Sequence, residues 1–507
     1  MRVLVVVVAT CLAATLSVPA GPAAAQAATG PDLRVVTLDR HGHSVAGRVE
    51  VANLRDGRSY SLTGGRFHHV ERGTYEVVAA IGDTRDGSET MGTAVVTVSG
   101  RTTTTVDARR GRRVDAELTP APRGAYDQLL NAEICAGNAQ VFDGSSAGRL
   151  YVIPSGRKRE ELGIAAEWNP LTPAPGRPVF LGATVYRGGI PADVSPTYRQ
   201  ASLTSVTVSG RTGAEFGQVA LEARQQGPDS CASDTPDLRT NLTLPYRVTL
   251  RLPPGRWSLW QDGTSHVFGP QRTYRAGQSY RVTVGAAAWG PDGNLPVTDQ
   301  YGRTLAYDLI NMFADPHLPY GLEARVEYRL THAGRLLVHR TYAPGDITSR
   351  ATLPGAGWYG LTARATRVTE KALPAGTLSM HSTVHLHFYA DPSRTLHVRD
   401  FVTRFVPASL DATNRTDARV TTVWLQPLRG PSDANGARLP DRVRRVRAWA
   451  SADGGRTWRA VHVVHTGGRW RAAVPNPHSG YVALRARIDD THGGWATTTV
   501  YRAYRVG

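Results

Sequence analysis

From residue 33 onward the chain alternates apolar and polar residues, and Gly, Pro, Asn or Asp turns interrupt the alternation every eight to twelve residues. Residues 48–51, 205–208, 246–252 and 280–284 show the pattern clearly. A period of two places successive side chains on opposite faces of a strand, and short strands with closely spaced turns are typical of β-sandwiches. The sequence therefore predicts an all-β chain, with modest helical periodicity only at 125–133 and 158–168.

A second pattern gives the number of sandwich modules. A turn ending in Gly, followed by an aromatic residue and an alternating strand, occurs four times, around Gly73, Gly255, Gly357 and Gly480. Such a glycine permits a tight turn, and the aromatic residue fills the end of a sandwich core. The repeats predict a serial array of about four modules.

Domain boundaries are placed where the composition resembles a linker. Without a predicted signal peptide at 1–27, about 480 of the 507 residues remain, which is too many for one hydrophobic core. Pro- and Gly-rich stretches at 119–124 and 291–296, with a softer boundary near 400–412, divide the chain. The predicted units are a signal peptide at 1–27 and modules at 31–119, 125–290, 297–400 and 401–507.

The N-terminus has the three parts of a signal peptide. Met1 and Arg2 form a short basic region, residues 3–16 are apolar or small, and A-x-A cleavage sites end at Ala25 and Ala27. Cys11 lies inside the apolar region rather than at its end, which favours release over lipid anchoring. No later apolar run is long enough to cross a bilayer, so the mature chain is predicted to be secreted or held non-covalently at the cell surface.

Removal of the signal peptide leaves two of the three cysteines, Cys135 and Cys231. An even number of cysteines in an oxidising compartment predicts a disulfide. Closing a loop of this length contributes on the order of 4–5 kcal/mol in the chain-entropy model. Two buried free thiols are the alternative.

Two stretches of the chain resemble known families. Residues 33–118 resemble prealbumin-like or carboxypeptidase-regulatory-like sandwiches, which usually serve as accessory modules. The resemblance rests on residues 47–51, the Gly64-Gly65 turn and the strand at 73–77. Residues 96–110, 484–490 and 500–505 are similar in style to the non-catalytic regions that follow the protease domain in secreted subtilisin-like serine proteases of actinobacteria. The resemblances imply immunoglobulin-like and prealbumin-like modules. The sequence motifs that carry the catalytic Asp, His and Ser of a subtilisin-like protease are missing.

The motif at 451–458 fits the Asp-box pattern S-x-D-x-G-x-T-W. Its residues are Ser451, Asp453, Gly455, Thr457 and Trp458. The aspartate accepts backbone N–H groups across a hairpin turn, and the glycines supply positive φ. A single copy predicts a structural hairpin and says nothing of catalysis.

The segment at 381–389 places His381, His385 and His387 on one strand face and Val384, Leu386 and Phe388 on the other. The apolar face is predicted to be the core. His385 and His387 lie roughly 7 Å apart along the strand, near enough to share a metal ion, with His397 as a third ligand. The alternative is a solvated outer face that is rich in histidine.

Two pairs of aromatic residues are candidates for a binding surface. One pair is Trp257 and Trp260, and the other is Trp358 and Tyr359. Within each pair the two side chains point to opposite faces of a strand. One member of each pair packs inward, and its partner is free to stack against a sugar ring or a peptide. Packing between modules is the other explanation.

The predicted function is accessory or adhesive binding without catalysis and without a cofactor. The net charge is +17, but only Lys158 and Lys371 are lysines, which indicates coding bias. A basic surface still suits a cell-wall polymer, a polysaccharide or a secreted protein as partner, and export argues against nucleic acid. The alternative is a secreted hydrolase, related to the proteases or carbohydrate-active, with its site in module 125–290.

Overall fold

The computed structural model describes residues 31–171, 176–226, 238–263, 266–268, 272–291, 297–298, 304–308, 312–316, 324–344, 348–368, 372–393, 401–429 and 443–507. The predicted signal peptide, Cys231 and His397 lie outside the described residues. The described residues form forty strands and two three-residue 3-10 helices, which confirms the all-β fold class. Within these ranges no helix has the length and apolar character needed to cross a membrane.

The first ten strands are β1 (Asp32–Leu38), β2 (Ser44–Val45), β3 (Arg48–Asn53), β4 (Ser59–Thr63), β5 (Phe67–His69), β6 (Gly73–Asp83), β7 (Ser88–Val98), β8 (Thr102–Asp107), β9 (Arg112–Arg113) and β10 (Glu117–Thr119). The next fourteen are β11 (Tyr126–Ala136), β12 (Ala139–Ser146), β13 (Leu150–Val152), β14 (Glu160–Pro170), β15 (Val179–Arg187), β16 (Thr197–Arg199), β17 (Thr204–Gly210), β18 (Gln218–Gln226), β19 (Leu238–Thr243), β20 (Tyr246–Leu252), β21 (Gly255–Asp262), β22 (His266–Phe268), β23 (Arg272–Tyr274) and β24 (Ser279–Val284).

The remaining strands are β25 (Val297–Thr298), β26 (Thr304–Asp308), β27 (Ala324–His332), β28 (Arg335–Tyr342), β29 (Thr348–Thr352), β30 (Gly357–Arg367), β31 (His381–Ala390), β32 (Phe401–Pro407), β33 (Arg415–Thr416), β34 (Val420–Arg429), β35 (Val443–Ser451), β36 (Arg459–Val461), β37 (Val463–Thr466), β38 (Arg469–Pro475), β39 (Gly480–Asp490) and β40 (Trp495–Val506). The 3-10 helices are Ala108–Arg110 and Gln200–Ser202.

The N-terminal sandwich has two sheets. One runs β2-β1-β5 with β8 parallel to β1, and the other runs β4-β3-β6-β7-β13-β9. Leu33, Val49, Tyr75 and Val77 belong to the core between them. Strand β13 lies beyond the predicted linker at 119–124, yet it pairs in parallel with β7, so backbone hydrogen bonds cross that linker.

The next sheet has seven strands in the order β12-β11-β14-β15-β20-β17-β24, and a five-stranded sheet contains β18, β19, β21, β22 and β23. The helical expectation at 125–133 and 158–168 is wrong, because these segments form β11 and β14, paired antiparallel from Tyr126↔Pro170 to Ala136↔Glu160. Adjacent residues are buried in both segments, at Ala132 and Glu133 on β11 and at Ala165 and Ala166 on β14. Burial on both faces removes the alternation that identifies a strand.

The C-terminal part is built around a nine-stranded sheet. Its order is β28-β27-β30-β31-β40-β39-β35-β36, with β33 also pairing with β40. Strands β25, β26 and β29 form one small sheet, and β32, β34, β38 and β37 form another. Antiparallel pairing of β31 with β40, from Ser382↔Val500 to His387↔Trp495, joins the strands of the predicted modules 297–400 and 401–507 into one sheet. We call this pairing the seam.

All four Gly-aromatic repeats begin strands, namely β6, β21, β30 and β39. In three of them the aromatic residue two positions after the glycine is buried, and it donates a hydrogen bond to the carbonyl four residues earlier. These bonds are Tyr75 Oη to Glu71 O (2.8 Å), Trp257 Nε1 to Pro253 O (2.9 Å) and Tyr359 Oη to Gly355 O. The arrangement matches the tyrosine corner of immunoglobulin-like sandwiches.

Glycine is required at the start of β21 and β30. Gly255 and Gly357 have φ angles of +150° and +153°. Residues with a Cβ rarely adopt this region of backbone conformation. A Cβ on Gly357 would also lie 2.7 Å from the His332 ring.

A buried polar junction connects three parts of the chain. Asn414, fully buried with φ +56°, donates to Thr212 O and Gly285 O and accepts from Ala287 N. Beside it, Arg367 at the end of β30 donates to Glu215 Oε1 at 2.9 Å, and neither side chain is exposed. Burial lowers the pKa of Arg367 to about 10, and Glu215 opposes this shift.

Replacing Arg367 with Met is expected to destabilise the chain by about 3–5 kcal/mol, because a buried ion pair would be broken by removal of one member. Urea unfolding measures the loss. The control is Arg364→Met on the same strand, whose partner Glu327 is half-exposed and whose loss should cost at most about 1 kcal/mol. Equal losses of stability in the two variants would contradict a special contribution of the buried Arg367–Glu215 pair.

A second stability prediction concerns Glu89 on β7. Burial and the nearby Asp143 raise the pKa of Glu89 to about 7, although Arg48 opposes the shift. A raised pKa means that the folded state holds the proton more tightly than the unfolded state. The resulting stabilisation is complete below about pH 4.5 and is lost as the pH rises through 7.

Glu89→Gln, which mimics the protonated carboxyl, should therefore melt close to the wild type at pH 4 and above it at pH 8. Thermal melting across this range tests the prediction. Glu50→Gln on β3, at a half-buried position of the same sheet, is the control. A pH-independent difference in melting temperature between Glu89→Gln and the wild type would refute it.

Candidate binding face

The outer face of the nine-stranded sheet carries the candidate site. On β31 the side chains of Val384, Leu386 and Phe388 are buried, whereas His385 and His387 are half-buried on the opposite side. The apolar face of this strand is therefore the core, as the alternation predicts. The histidine face is turned away from it and crosses the seam.

Four planar side chains stack in a row across this face. The rings of Trp358 and His387 are 4.7 Å apart and nearly parallel, and those of His387 and Trp495 are 5.6 Å apart. The Arg487 guanidinium lies 4.2 Å from the centre of the Trp495 ring. These spacings are close to the ~4.8 Å between neighbouring strands, because each member comes from the next strand, β30, β31, β40 and β39. We call this row the aromatic ladder.

The ladder explains the environment of the predicted metal ligands. The His387 ring stacks between two indoles, and His385 Nδ1 is 3.0 Å from Thr362 Oγ1. Burial lowers the pKa of both histidines, with further lowering from Arg364 at His385 and from Arg487 at His387. Among the described residues, neither belongs to a group of three or more potential metal ligands. Metal binding with His397 stays a prediction.

A cleft of about 880 Å³ lies toward the opposite end of β30 and β31 from the ladder and also crosses the seam. Its lining comes from β27, β28, β30, β31, β40 and the hairpin after β35, and consists of Arg325, Glu327, Thr341, Arg364, Ala365, Thr366, Met380, His381, Ser382, Thr383, Gly454, Tyr501 and Arg502. Glu327 pairs with Arg364 at 3.4 Å and with His339 at 3.1 Å. Across the described part of the chain, Arg325 and Arg502 have no carboxylate partner, so the cleft carries an excess of positive charge.

The Asp-box hairpin forms one border of the cleft. Asp453 accepts from Thr457 N at 2.9 Å and from Thr457 Oγ1 at 2.6 Å, and Gly455 N donates to Ser451 Oγ at 2.8 Å. Hydrogen bonds from Thr457 hold the pKa of Asp453 well below its ordinary value. Trp458 packs edge-on against Tyr501, a lining residue. The motif thus positions the cleft wall through hydrogen bonds within its own turn.

The paired aromatics divide between faces as the sequence predicts. Trp257 is buried and Trp260 is half-buried, with the Arg224 guanidinium 4.5 Å from its ring. Tyr359 is buried, whereas Trp358 is 39% exposed and begins the ladder. Tyr389, which is not among the aromatics predicted from the sequence, lies next to Trp358 and is 51% exposed. The sequence could have indicated this exposure, because Tyr389 follows the inward-facing Phe388 on the same strand.

The predicted disulfide and the hydrolase alternative each involve some residues that the structure describes. Cys135 is fully buried on β11, but Cys231 lies outside the described residues, so the disulfide stays a prediction. The hydrolase alternative with a site in module 125–290 also stays a prediction. Glu160 on β14 lies beside Glu76 of the N-terminal sandwich, and burial together with Glu160 raises the pKa of Glu76. Both side chains are at most 2% exposed.

The aromatic ladder generates a stability prediction. His387→Ala is expected to cost about 1–3 kcal/mol, because two stacking contacts of about 0.5–1.5 kcal/mol each are lost. Urea unfolding of His387→Ala, Trp495→Ala and the double variant gives the coupling energy. Tyr389→Ala, on the same strand but more exposed, is the control. Additive effects of the two ladder substitutions would show that the rings do not interact.

Comparisons with known proteins give only distant structural neighbours. No protein-family model and no curated protein matches the chain. A streptococcal ancillary pilin is 10% identical over 50% of this chain and 98% of its own, with a TM-score of 0.12. Immunoglobulin domains 1–5 of Sidekick-1 are 10% identical over 94% and 97%, with a TM-score of 0.11. The pilus adhesin SpaC from Lactobacillus rhamnosus GG is 10% identical over 73% and 56%, also with a TM-score of 0.11. All three TM-scores are too low to carry an argument about function.

Proposed function

We propose that this chain is a secreted, non-catalytic adhesive protein that binds an acidic polysaccharide in the cleft across the seam. The observation that carries the proposal is the unneutralised positive charge of the cleft. Arg325 on β27 and Arg502 on β40 lie on opposite sides of the seam and are both exposed. A polymer with regularly spaced carboxylates would contact both arginines at once.

Arginine suits this role because its guanidinium matches a carboxylate with two parallel hydrogen bonds. Glu327, the one carboxylate among the described lining residues, contacts Arg364 and His339 and does not neutralise the other two arginines. The chain as a whole has a net charge of +17. Such a field raises the rate at which acidic polymers associate with the surface.

Other lining residues complement a sugar rather than a simple anion. Tyr501 is half-buried in the cleft, and Thr341 and Thr366 supply exposed hydroxyl groups. Aromatic rings pack against the apolar face of a sugar, and hydroxyl groups form hydrogen bonds with its polar edge. Trp358 and Tyr389 extend the exposed aromatic surface along the same sheet.

The location and the absence of catalysis are part of the proposal. The signal-peptide pattern at 1–27 and the similarity to accessory regions of secreted subtilisin-like proteases support action outside the cell. Among the described residues, the cleft lining contains one carboxylate, and a pair of carboxyl groups is needed for most glycoside hydrolysis. We therefore assign it binding rather than turnover, and no cofactor enters the proposal.

Titration of the mature protein with an acidic polysaccharide such as polygalacturonate tests the function. We expect binding that weakens as salt rises, because exposed charges are screened. Arg325→Ala with Arg502→Ala should weaken it at least about tenfold, since each charge-assisted hydrogen bond contributes about 1.5–3 kcal/mol. Isothermal titration calorimetry measures the affinity.

The matched control is Arg55→Ala with Arg72→Ala, which removes the same charge from exposed positions of the N-terminal sandwich. If both double variants lose the same affinity, the binding is a general charge effect and the cleft assignment is wrong. Equal affinity for neutral dextran would also contradict it. Turnover of either polymer would overturn the non-catalytic assignment.

A further inference from the structure

A second cluster of polar side chains lies far from the cleft in sequence, at the rim of the N-terminal sandwich. His41 is in the loop between β1 and β2, while Asp83 and Asp86 are at the turn between β6 and β7. One ligand atom from each of the three residues lies within 4.8 Å of the other two. The two loops belong to different sheets of the sandwich.

Asp83 is the unusual member of this cluster. Its side chain is only 3% exposed, and its Oδ2 atom is buried without a hydrogen bond. The other oxygen, Oδ1, accepts from Arg85 N at 3.0 Å. A buried carboxylate oxygen without a donor is costly, and this one is directed toward the exposed His41 ring, whose Nε2 lies 3.4 Å away.

We propose that His41, Asp83 and Asp86 bind one Zn²⁺ ion. The separation of 3.4 Å between Nε2 and Oδ2 is longer than the usual 2.7–3.2 Å of an N–H···O hydrogen bond. It equals the spacing of two tetrahedral ligands, since Zn–N and Zn–O bonds of about 2.0–2.2 Å place such atoms about 3.3–3.5 Å apart.

The donor set selects the class of metal. Imidazole nitrogen suits Zn²⁺ and related transition metals, whereas Ca²⁺ and Mg²⁺ prefer sites made of oxygen alone. Two carboxylates and a neutral imidazole give the site a charge of −2, which one Zn²⁺ neutralises. The described residues supply three protein ligands, so water or a ligand carboxylate completes the coordination.

Both loops are held in place independently of a metal ion. Asp39 Oδ1 accepts from His41 N at 2.9 Å and from His43 N at 2.8 Å, which fixes the first loop. In the second, Gly87 N donates to Asp83 O and Ser88 N donates to Asp86 Oδ1, both at 2.8 Å. The bound ion would connect the two sheets at one end of the sandwich and so resist their separation.

The test uses the untagged mature protein after treatment with EDTA and dialysis. Calorimetric titration with Zn²⁺ should give one ion per chain, and thermal melting should show a higher melting temperature with Zn²⁺ than without it. His41→Ala and Asp83→Asn should each abolish binding and the increase in melting temperature. Asp86→Asn, at an exposed position, should weaken binding without unfolding the chain.

Two control variants separate this site from other histidines. His43→Ala removes a neighbour on the same loop, and His385→Ala with His387→Ala removes the pair on β31. Both should bind Zn²⁺ like the wild type. The proposal is overturned if the wild type binds no Zn²⁺, if His41→Ala and Asp83→Asn bind it unchanged, or if only the β31 double variant loses it.

Discussion

The antiparallel pairing of β31 with β40 is the interaction on which the C-terminal half of the chain depends. It turns two groups of strands into one nine-stranded sheet. The aromatic ladder exists because His387 on one side of the seam stacks against Trp495 on the other. The cleft exists for the same reason, since Arg325 and Arg502 come from opposite sides. The proposed binding face therefore cannot be assigned to either group of strands alone.

The buried junction around Asn414 adds specificity to this arrangement. Apolar contacts tolerate small shifts, but Asn414 must satisfy three backbone partners from two separate segments at once. The Glu215–Arg367 pair imposes a similar requirement, because separating a buried ion pair is strongly destabilising. Such polar contacts favour one relative position of the segments over other positions. The outer face of the sheet is thereby kept in register with the core beneath it.

Local patterns in the sequence predicted much of the fold. Alternation identified the inward residues of β31, and the Gly-aromatic repeats located the starts of β6, β21, β30 and β39. The same rule fails where both faces are buried, as in β11 and β14. Partners distant in sequence were also invisible. Nothing local to His41 indicates Asp83, and nothing in β31 indicates β40, because these contacts are created by the folded topology.

The seam also determines the order in which the chain can complete its structure. Strands β32 to β39 lie between β31 and β40 in sequence, so β31 has an unpaired edge until the last of these strands has been passed. An open strand edge is a template for pairing with another chain, and contacts between distant segments form slowly. During synthesis, the growing chain must therefore protect this edge from neighbouring chains until β40 has been made.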